Sequence, residues 1–118
     1  MQCQREKKIE RMTDVVYYIP FKNCNEPYIG DTRRHWGTRK KEHQASVRRK
    51  ETDRNGVANH CINNLHHPDW DHCKIIDKER NNYMRKIKES INIQAHTGGN
   101  DQMKGVTNLE NNYKIDQS

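Results

Sequence analysis

Apolar residues are few in this chain, and their densest group is the run Val-Val-Tyr-Tyr-Ile at residues 15–19. A run of β-branched and aromatic side chains predicts a strand, which Pro20 ends. Turn-forming residues occupy positions 22–27, and Tyr28 and Ile29 then predict a second short strand that stops at Gly30. Because two strands joined by a short loop pair with each other, the fold is expected to begin with an antiparallel hairpin.

The segment after the hairpin predicts a helix with little apolar support. Asp31 or Thr32 can cap a helix that runs to about Lys50, and Gly37 favours a start nearer Thr38. The apolar residues of this helix are Trp36, Ala45 and Val47.

Two helices and one strand are predicted beyond this first helix. Residues 57–65 carry the apolar stripe of a short helix, and residues 74–76 predict a third strand. Residues 78–93 have the clearest helical pattern, and the apolar face of that helix comprises Tyr83, Met84, Ile87 and Ile91. The order β-β-α-α-β-α predicts a small α/β fold in which helices flank a three-stranded antiparallel sheet.

The length of 118 residues suits one domain, and the 31% share of hydrophobic residues predicts a thin core. We expect the domain at residues 15–93 and a polar tail or linker at 1–14. Residues 94–118 are expected to form a polar C-terminal extension or, as an alternative, the eroded end of the domain. No run approaches the ~20 apolar residues of a membrane span, and residues 1–11 are too charged for a secretory signal. These patterns predict an intracellular protein without a membrane partner, and within the cell we expect a nuclear location.

The positions of the cysteines and histidines favour reduced thiols, with a structural metal site as the alternative. In an intracellular chain without CxxC pairs, reduced thiols are expected at Cys3, Cys24, Cys61 and Cys73. Residues 60–73 are rich in Cys and His, but the candidate ligands are adjacent residues that cannot easily chelate one zinc ion together. Cys61 is better interpreted as a core residue.

The positive charge of the chain is concentrated in residues 31–50. This segment has eight Lys and Arg residues against two acids, so it accounts for the whole net charge of +6. Such a block indicates a polyanionic partner, nucleic acid first, while a solvated helix face is an equally good reading of charge alone. The predicted nucleic-acid-binding residues are Arg33, Arg34, Lys40, Lys41, Arg48 and Arg49.

Five positions form an ordered set along the chain. Tyr17 and Tyr28 lie on the two predicted strands, Arg39 and His43 follow one helical turn apart, and Glu89 lies on the last predicted helix. With the Tyr-Ile-Gly at residues 28–30, this set resembles the GIY-YIG nuclease family from residue 15 to 93. The first family motif is matched only in part, because Val-Val-Tyr stands at residues 15–17.

The resemblance is especially close to GIY-YIG domains attached to reverse transcriptases in Penelope-like retroelements. The similar segments are residues 28–32, 34, 38–39, 42–43, 69–70, 74–77 and 85–91. It implies a DNA endonuclease that nicks the backbone of DNA, a fused or associated reverse transcriptase or DNA-targeting domain, and one Mg²⁺ or Mn²⁺ ion as cofactor.

The resemblance also implies a role for each matching residue. Glu89 would hold the metal ion, Arg39 would bind the scissile phosphate through its planar guanidinium, and Tyr28 and Tyr17 would flank the attacking water. Tyr28 is the better candidate for the proton acceptor, and His43 would orient a tyrosine or relay a proton. Further candidates, held less firmly, are His60 and Asn108.

Ordinary structural readings stand beside these roles. Glu89 can be a surface carboxylate paired with Arg85 one turn earlier, and the two tyrosines can be half-buried strand residues. At the level of function, the alternatives to an endonuclease are a decayed domain that only binds nucleic acid and, more weakly, an interaction domain for other partners. Metal-dependent cleavage separates the first two.

Overall fold

The computed structural model describes residues 8–97. Its strands are β1 (Val15–Phe21), β2 (Cys24–Thr32) and β3 (Lys74–Lys78). Its helices are α1 (Trp36–Arg49), α2 (Gly56–Asn64) and α3 (Asn82–Thr97), and a 3₁₀ turn at Trp70–His72 precedes β3.

The strands form a three-stranded sheet in which β1 is central and pairs antiparallel with both neighbours, in the order β2-β1-β3. Helices flank this sheet, so the predicted α/β fold class is confirmed. Opposite Tyr17 lie Gly30 of β2 and Ile75 of β3. Because successive side chains of a strand point to opposite faces, β1 feeds two cores.

The two cores divide the side chains of β1 between them. Val15, Tyr17, Ile19 and Phe21 pack with Tyr28 and with residues of α1 and α2, namely Trp36, Val57 and Cys61. On the other face, Val16 packs with Ile29 and with Ile93 of α3. The central strand is therefore buried on both faces, which explains its continuous apolar run.

The hairpin is longer and tighter than predicted. Pro20 does not end β1; it lies where the register of the pairing shifts between Ile19 and Phe21, and such irregular positions tolerate a residue without an N–H donor. The predicted loop at residues 22–27 is wrong as well, because Phe21 pairs with Cys24 and only two residues turn the chain.

Helix α1 begins later than its predicted caps. Thr32 is still part of β2, where its hydroxyl accepts a hydrogen bond from the Arg34 N–H, and the Asp31 carboxylate binds residues of α3 instead. The helix starts at Trp36, close to the alternative start, and ends at Arg49 with Lys50 in the left-handed conformation. The predicted end is thus confirmed and the predicted caps are wrong.

Helix α3 buries a different face from the predicted one. Tyr83, Met84 and Ile91 are exposed. The buried positions are Arg85, Glu89 and Ile93, which are spaced by four residues along one side of the helix. The predicted start at residue 78 is also wrong, because Lys78 pairs in the sheet and the helix begins at Asn82.

Arg85 occupies the buried face because acidic partners surround it. Its Nε donates to the Asp31 carboxylate at 2.7 Å, and its Nη1 lies 3.6 Å from the Asp14 carboxylate. Lys86 also binds Asp31, at 3.1 Å. Paired in this way, a buried charge is tolerated, and the pairing fixes α3 against the end of β2.

Residues 8–14, which are part of the predicted polar tail, pack against the domain. Ile9 and Met12 contact the first core, and the Met12 carbonyl accepts a hydrogen bond from the Trp36 N–H. Gly37 allows this approach, because a Cβ added there would lie 3.0 Å from the Glu10 Cβ. The glycine that weakens α1 thus leaves space for this segment.

Three of the four cysteines, Cys24, Cys61 and Cys73, are free thiols, as predicted. Cys3 and most of the predicted C-terminal extension lie outside the described residues, although α3 extends to Thr97. Within residues 8–97, no helix is both long and apolar enough to cross a membrane.

The face of α3 that is buried can be tested by replacing an isoleucine with alanine on each side of the helix. Ile93→Ala removes a side chain that is 4% exposed, and we expect it to lower the free energy of unfolding by about 2–4 kcal/mol. Ile91→Ala, at a residue that is 61% exposed, should cost less than about 1 kcal/mol. Urea unfolding of both variants checks this, and a larger loss for Ile91→Ala would contradict the observed helix phase.

Candidate functional site

Two buried tyrosines form the centre of the candidate site. Tyr17 on β1 and Tyr28 on β2 are each 1% exposed, and their ring centroids are 6.5 Å apart. Gly30, opposite Tyr17, leaves room for the hydroxyl, since a Cβ there would lie 2.5 Å from the Tyr17 oxygen. Trp36 stacks on the Tyr17 ring at a centroid distance of 4.4 Å. The sheet register and the Trp36 stack therefore fix the position of this phenol.

His43 connects helix α1 to the tyrosines. Its Nε2 lies 2.7 Å from the Tyr17 hydroxyl, and its ring meets the Tyr28 ring edge-on at a centroid distance of 5.3 Å. On the other side, Nδ1 lies 3.1 Å from the Asn55 side-chain oxygen. His43 is fully buried, so both ring nitrogens interact with protein groups.

Arg39 lies one helical turn before His43, at the boundary between the tyrosines and solvent. Its Nε donates to the Tyr17 hydroxyl at 3.3 Å, and its side chain is 27% exposed. Its Nη1 donates to the Glu42 carboxylate at 3.1 Å, and Glu42 also accepts two hydrogen bonds from Arg34. The guanidinium thus carries one contact to the buried phenol and remains accessible from outside.

Glu89 is on the buried face of α3 and is only 1% exposed. Its Oε2 atom is buried and has no hydrogen-bond partner among residues 8–97. Burial raises the pKa of its carboxyl to about 8, and the nearby Asp31 carboxylate adds to the rise. The alternative interpretation of Glu89 as a surface carboxylate paired with Arg85 is therefore wrong, because Arg85 binds Asp31 and Glu89 is inside the protein.

Charge links Glu89 to the tyrosine cluster. The Glu89 carboxylate contributes to raising the pKa of Tyr17 and of Tyr28, and Arg39 acts to lower the pKa of Glu89. The four residues Tyr17, Tyr28, Arg39 and His43 are joined by direct contacts, while Glu89 joins them through these electrostatic interactions. Glu89 is thus coupled electrostatically to three of the other four predicted catalytic residues, Tyr17, Tyr28 and Arg39.

The orphaned oxygen of Glu89 is compatible with a divalent cation. A buried carboxylate oxygen without a donor costs free energy, and a cation supplies the missing partner. Oxygen ligands suit hard ions such as Mg²⁺ and Mn²⁺. The side chain that would hold such an ion is Glu89.

The protonation states of the cluster follow from burial. Burial raises the pKa of both tyrosines well above the ordinary value, although Arg39 opposes this rise at Tyr17. Burial lowers the pKa of His43 to about 3, so its imidazole is neutral at neutral pH. Two neutral phenols and one neutral imidazole therefore share the buried space.

The predicted nucleic-acid-binding residues lie at the surface. Lys40 is partly buried, and the others, Arg33, Arg34, Lys41, Arg48 and Arg49, are exposed. The bidentate pair with Glu42 offsets the charge of Arg34. The remaining basic groups are accessible to a polyanion.

His60, a further candidate for the catalytic site, lies in a separate cluster. Its Nε2 is 2.9 Å from His66 Nδ1, and its ring lies 4.4 Å from the Phe21 ring. One ligand atom each from Cys24, His60 and His66 lies within 4.8 Å of the others, so these three could hold a thiophilic ion such as Zn²⁺. The left-handed conformation of Leu65 brings His66 back toward His60. The sequence prediction considered only adjacent Cys and His residues as ligand pairs, and so it did not anticipate this cluster.

The sequence analysis did not identify Asn55 as a site residue. It named Trp36 only as an apolar residue of helix α1, whereas Trp36 stacks on Tyr17 in the site. Asn55 is 7% exposed and caps α2 while it contacts His43. An Asn directly before the apolar stripe of α2 is a helix-start signal that could have been recognised. Its contact with His43 depends on tertiary packing and has no local signal. Asn108 lies outside the described residues.

Comparisons of the chain with protein-family models, with curated proteins and with solved structures each find no match.

The buried neutral state of His43 predicts a pH-dependent stability. An unfolded His binds a proton near its ordinary pKa of about 6.5, whereas the folded His43, with a pKa of about 3, does not. Stability from this group is therefore complete above about pH 6.5 and is lost as the pH falls, by roughly 2 kcal/mol at pH 5.

Urea unfolding at pH 7.5 and pH 5 checks this prediction. His43→Gln should lose less stability than the wild type between these two pH values, because it lacks the titrating group. His67→Gln, at an exposed histidine, is the control and should behave as the wild type does. Identical pH dependence of His43→Gln and the wild type would contradict the assignment.

Proposed function

We propose that this chain is a metal-dependent DNA endonuclease domain of the GIY-YIG type, which hydrolyses a phosphodiester bond and nicks DNA. The observation that carries the proposal is the convergence of Tyr17, Tyr28, Arg39 and His43 from three elements, with the buried, unpartnered oxygen of Glu89 in electrostatic contact. A role in packing alone does not account for a buried carboxylate with one unpartnered oxygen that is coupled electrostatically to a guanidinium and two phenols.

Arg39 is the phosphate-binding residue in this proposal. Its planar guanidinium stays charged at any useful pH and can donate two hydrogen bonds to phosphate oxygens. Because its Nε already donates to Tyr17, a phosphate bound at its outer edge would lie beside that phenol. The exposed basic residues before and along α1 would hold the flanking DNA backbone without reading its sequence.

Glu89 is the metal-binding residue. Mg²⁺ or Mn²⁺ bound there supplies positive charge that neutralises the phosphate and stabilises the leaving oxygen. Burial and the Asp31 carboxylate disfavour the charged form of Glu89, although Lys86, Arg85 and Arg39 favour it, and a bound cation would stabilise the carboxylate further.

Tyr17 is the better proton acceptor on these contacts, although resemblance alone favours Tyr28. Its hydroxyl is bound on one side by Arg39 and on the other by His43. As a water oxygen bonds to phosphorus, the water proton moves to Tyr17, and the Tyr17 proton moves to His43 Nε2. The bond between phosphorus and the leaving oxygen breaks with its electron pair on that oxygen. This relay needs no stable phenolate, which suits a phenol whose pKa is raised by burial. It places the proton on His43 instead, and the low pKa of this imidazole makes the protonated state short-lived.

A decayed domain that only binds nucleic acid is the second candidate. The observation that favours it is the burial of Glu89, whose side chain is closed to solvent in this arrangement. Exposed basic residues alone would sustain DNA binding. An attached reverse transcriptase or DNA-targeting domain, and a nuclear location, remain predictions from the resemblance.

Nicking of supercoiled plasmid tests the proposal. The purified chain should convert plasmid to open circle with Mg²⁺ or Mn²⁺ and not with EDTA. Glu89→Gln and Arg39→Ala should each lower the rate at least about 100-fold, because the first removes the carboxylate that would hold the metal ion and the second removes the cation that would bind the phosphate. The matched controls are Asp53→Asn and Arg54→Ala, at exposed residues outside the site, and both should cut as the wild type does.

Each outcome of this assay selects one function. A folded protein that shifts DNA at low salt without cutting it would replace the endonuclease with the binding module. Absence of DNA binding even at low salt would exclude both and favour an interaction domain for another partner.

A further inference from the structure

The side-chain oxygen of Asn55 contacts both the start of helix α2 and the His43 ring. Its side-chain oxygen accepts hydrogen bonds from the N–H groups of Val57 and Ala58, at 3.0 and 3.2 Å, and so caps helix α2. The same oxygen lies 3.1 Å from His43 Nδ1. Asn55 is 7% exposed, so these protein contacts satisfy the buried amide oxygen.

The cap determines which atom of Asn55 faces His43. Two backbone N–H groups donate to this atom, so it is the amide oxygen and not the amide nitrogen. An amide oxygen cannot donate, and therefore the hydrogen in the contact belongs to His43 Nδ1. A neutral imidazole carries one ring hydrogen, so His43 Nε2 is unprotonated and accepts.

The tautomer of His43 in turn orients Tyr17. Because His43 Nε2 accepts, the Tyr17 hydroxyl donates to it across 2.7 Å. The lone pairs of the Tyr17 oxygen then face away from His43, and one accepts from Arg39 Nε at 3.3 Å. The hydrogen bonds run in one direction, from Arg39 through Tyr17 and His43 to Asn55.

We propose that Asn55 is a positioning residue that holds His43 as the Nδ1-protonated tautomer, so that Nε2 can take the Tyr17 proton during phosphodiester hydrolysis. This inference rests on the proposed function. In the opposite tautomer, Nε2 would carry hydrogen and could not accept the proton, and the relay from water through Tyr17 would have no acceptor. After the transfer, the Nδ1 hydrogen still points at the Asn55 oxygen, so the ring does not need to turn.

A purely structural role as helix cap makes a different prediction. Ser caps helices about as well as Asn, so a cap role alone predicts that Asn55→Ser leaves the unfolding midpoint, the His43 tautomer and nicking nearly unchanged. Our account predicts a lower midpoint as well, because the buried Nδ1 of His43 loses its partner. The shorter serine side chain cannot reach the helix N–H groups and His43 with the same oxygen. Asn55→Asp keeps both the cap and an acceptor for the His43 Nδ1 hydrogen.

The experiment records the ¹⁵N chemical shifts of the His43 ring and the plasmid nicking rate for the wild type, Asn55→Ser and Asn55→Asp. The wild type and Asn55→Asp should show a protonated Nδ1 and an unprotonated Nε2 at neutral pH, and Asn55→Asp should retain nicking. Asn55→Ser should populate the other tautomer and lose nicking at least tenfold at a temperature where its circular dichroism shows it to be folded.

The two readouts separate the inference from the function on which it rests. A protonated Nε2 in the wild type, or an Asn55→Ser variant with wild-type nicking, would overturn the role of Asn55 while leaving the endonuclease intact. A wild type that does not nick plasmid would overturn the proposed function, and the ring spectra would then still show whether Asn55 sets the His43 tautomer.

Discussion

The buried hydrogen bond between Tyr17 and His43 joins the central strand to helix α1, and through Asn55 to the start of α2. Each of these polar groups is enclosed, so a broken link would leave a buried donor or acceptor unsatisfied at a cost of about 1–3 kcal/mol. The chain has few apolar residues with which to define the packing of α1 and α2 on the sheet. Buried hydrogen bonds therefore fix much of the position of α1 and α2 on the sheet, as apolar packing does in a protein with a larger core.

On the opposite face of the sheet, a buried ion pair fixes the position of helix α3. Arg85 and Asp31 form a buried pair that positions α3 against β2, and Glu89 follows Arg85 by one turn on the same side of the helix. An apolar residue in place of Glu89 would pack more easily there. Glu89 instead leaves a buried carboxylate with one oxygen unpartnered among the described residues, and its charge contributes to raising the pKa of Tyr17 and Tyr28.

Local patterns predicted the fold class and the order of elements, and the family resemblance named four of the residues that meet in the candidate site. They failed where distant residues decide burial. The phase of α3 was wrong because apolar periodicity assigns Ile91 to the core, whereas Arg85 takes the buried side through Asp31, which lies 54 positions earlier in the chain. The caps predicted for α1 failed for the same reason, since Asp31 is engaged by α3.

The candidate site shows the same limit. The resemblance to a family named Tyr17, Tyr28, Arg39 and His43, and the sheet register and one helical turn bring them together. The contact between Asn55 and His43 crosses from one helix to the next and has no periodic signal. The separation of His60 from the site also depends on how α2 packs against Phe21.

Paramagnetic line broadening by Mn²⁺ tests directly whether Glu89 and the tyrosine cluster form one metal-binding site. Substoichiometric Mn²⁺ should broaden the ring signals of Tyr17 and His43 in the wild type, and this broadening should vanish in Glu89→Gln. The account is contradicted if the ion broadens the ring signals of His60 and His66 instead, or if Glu89→Gln binds Mn²⁺ beside the tyrosines as the wild type does.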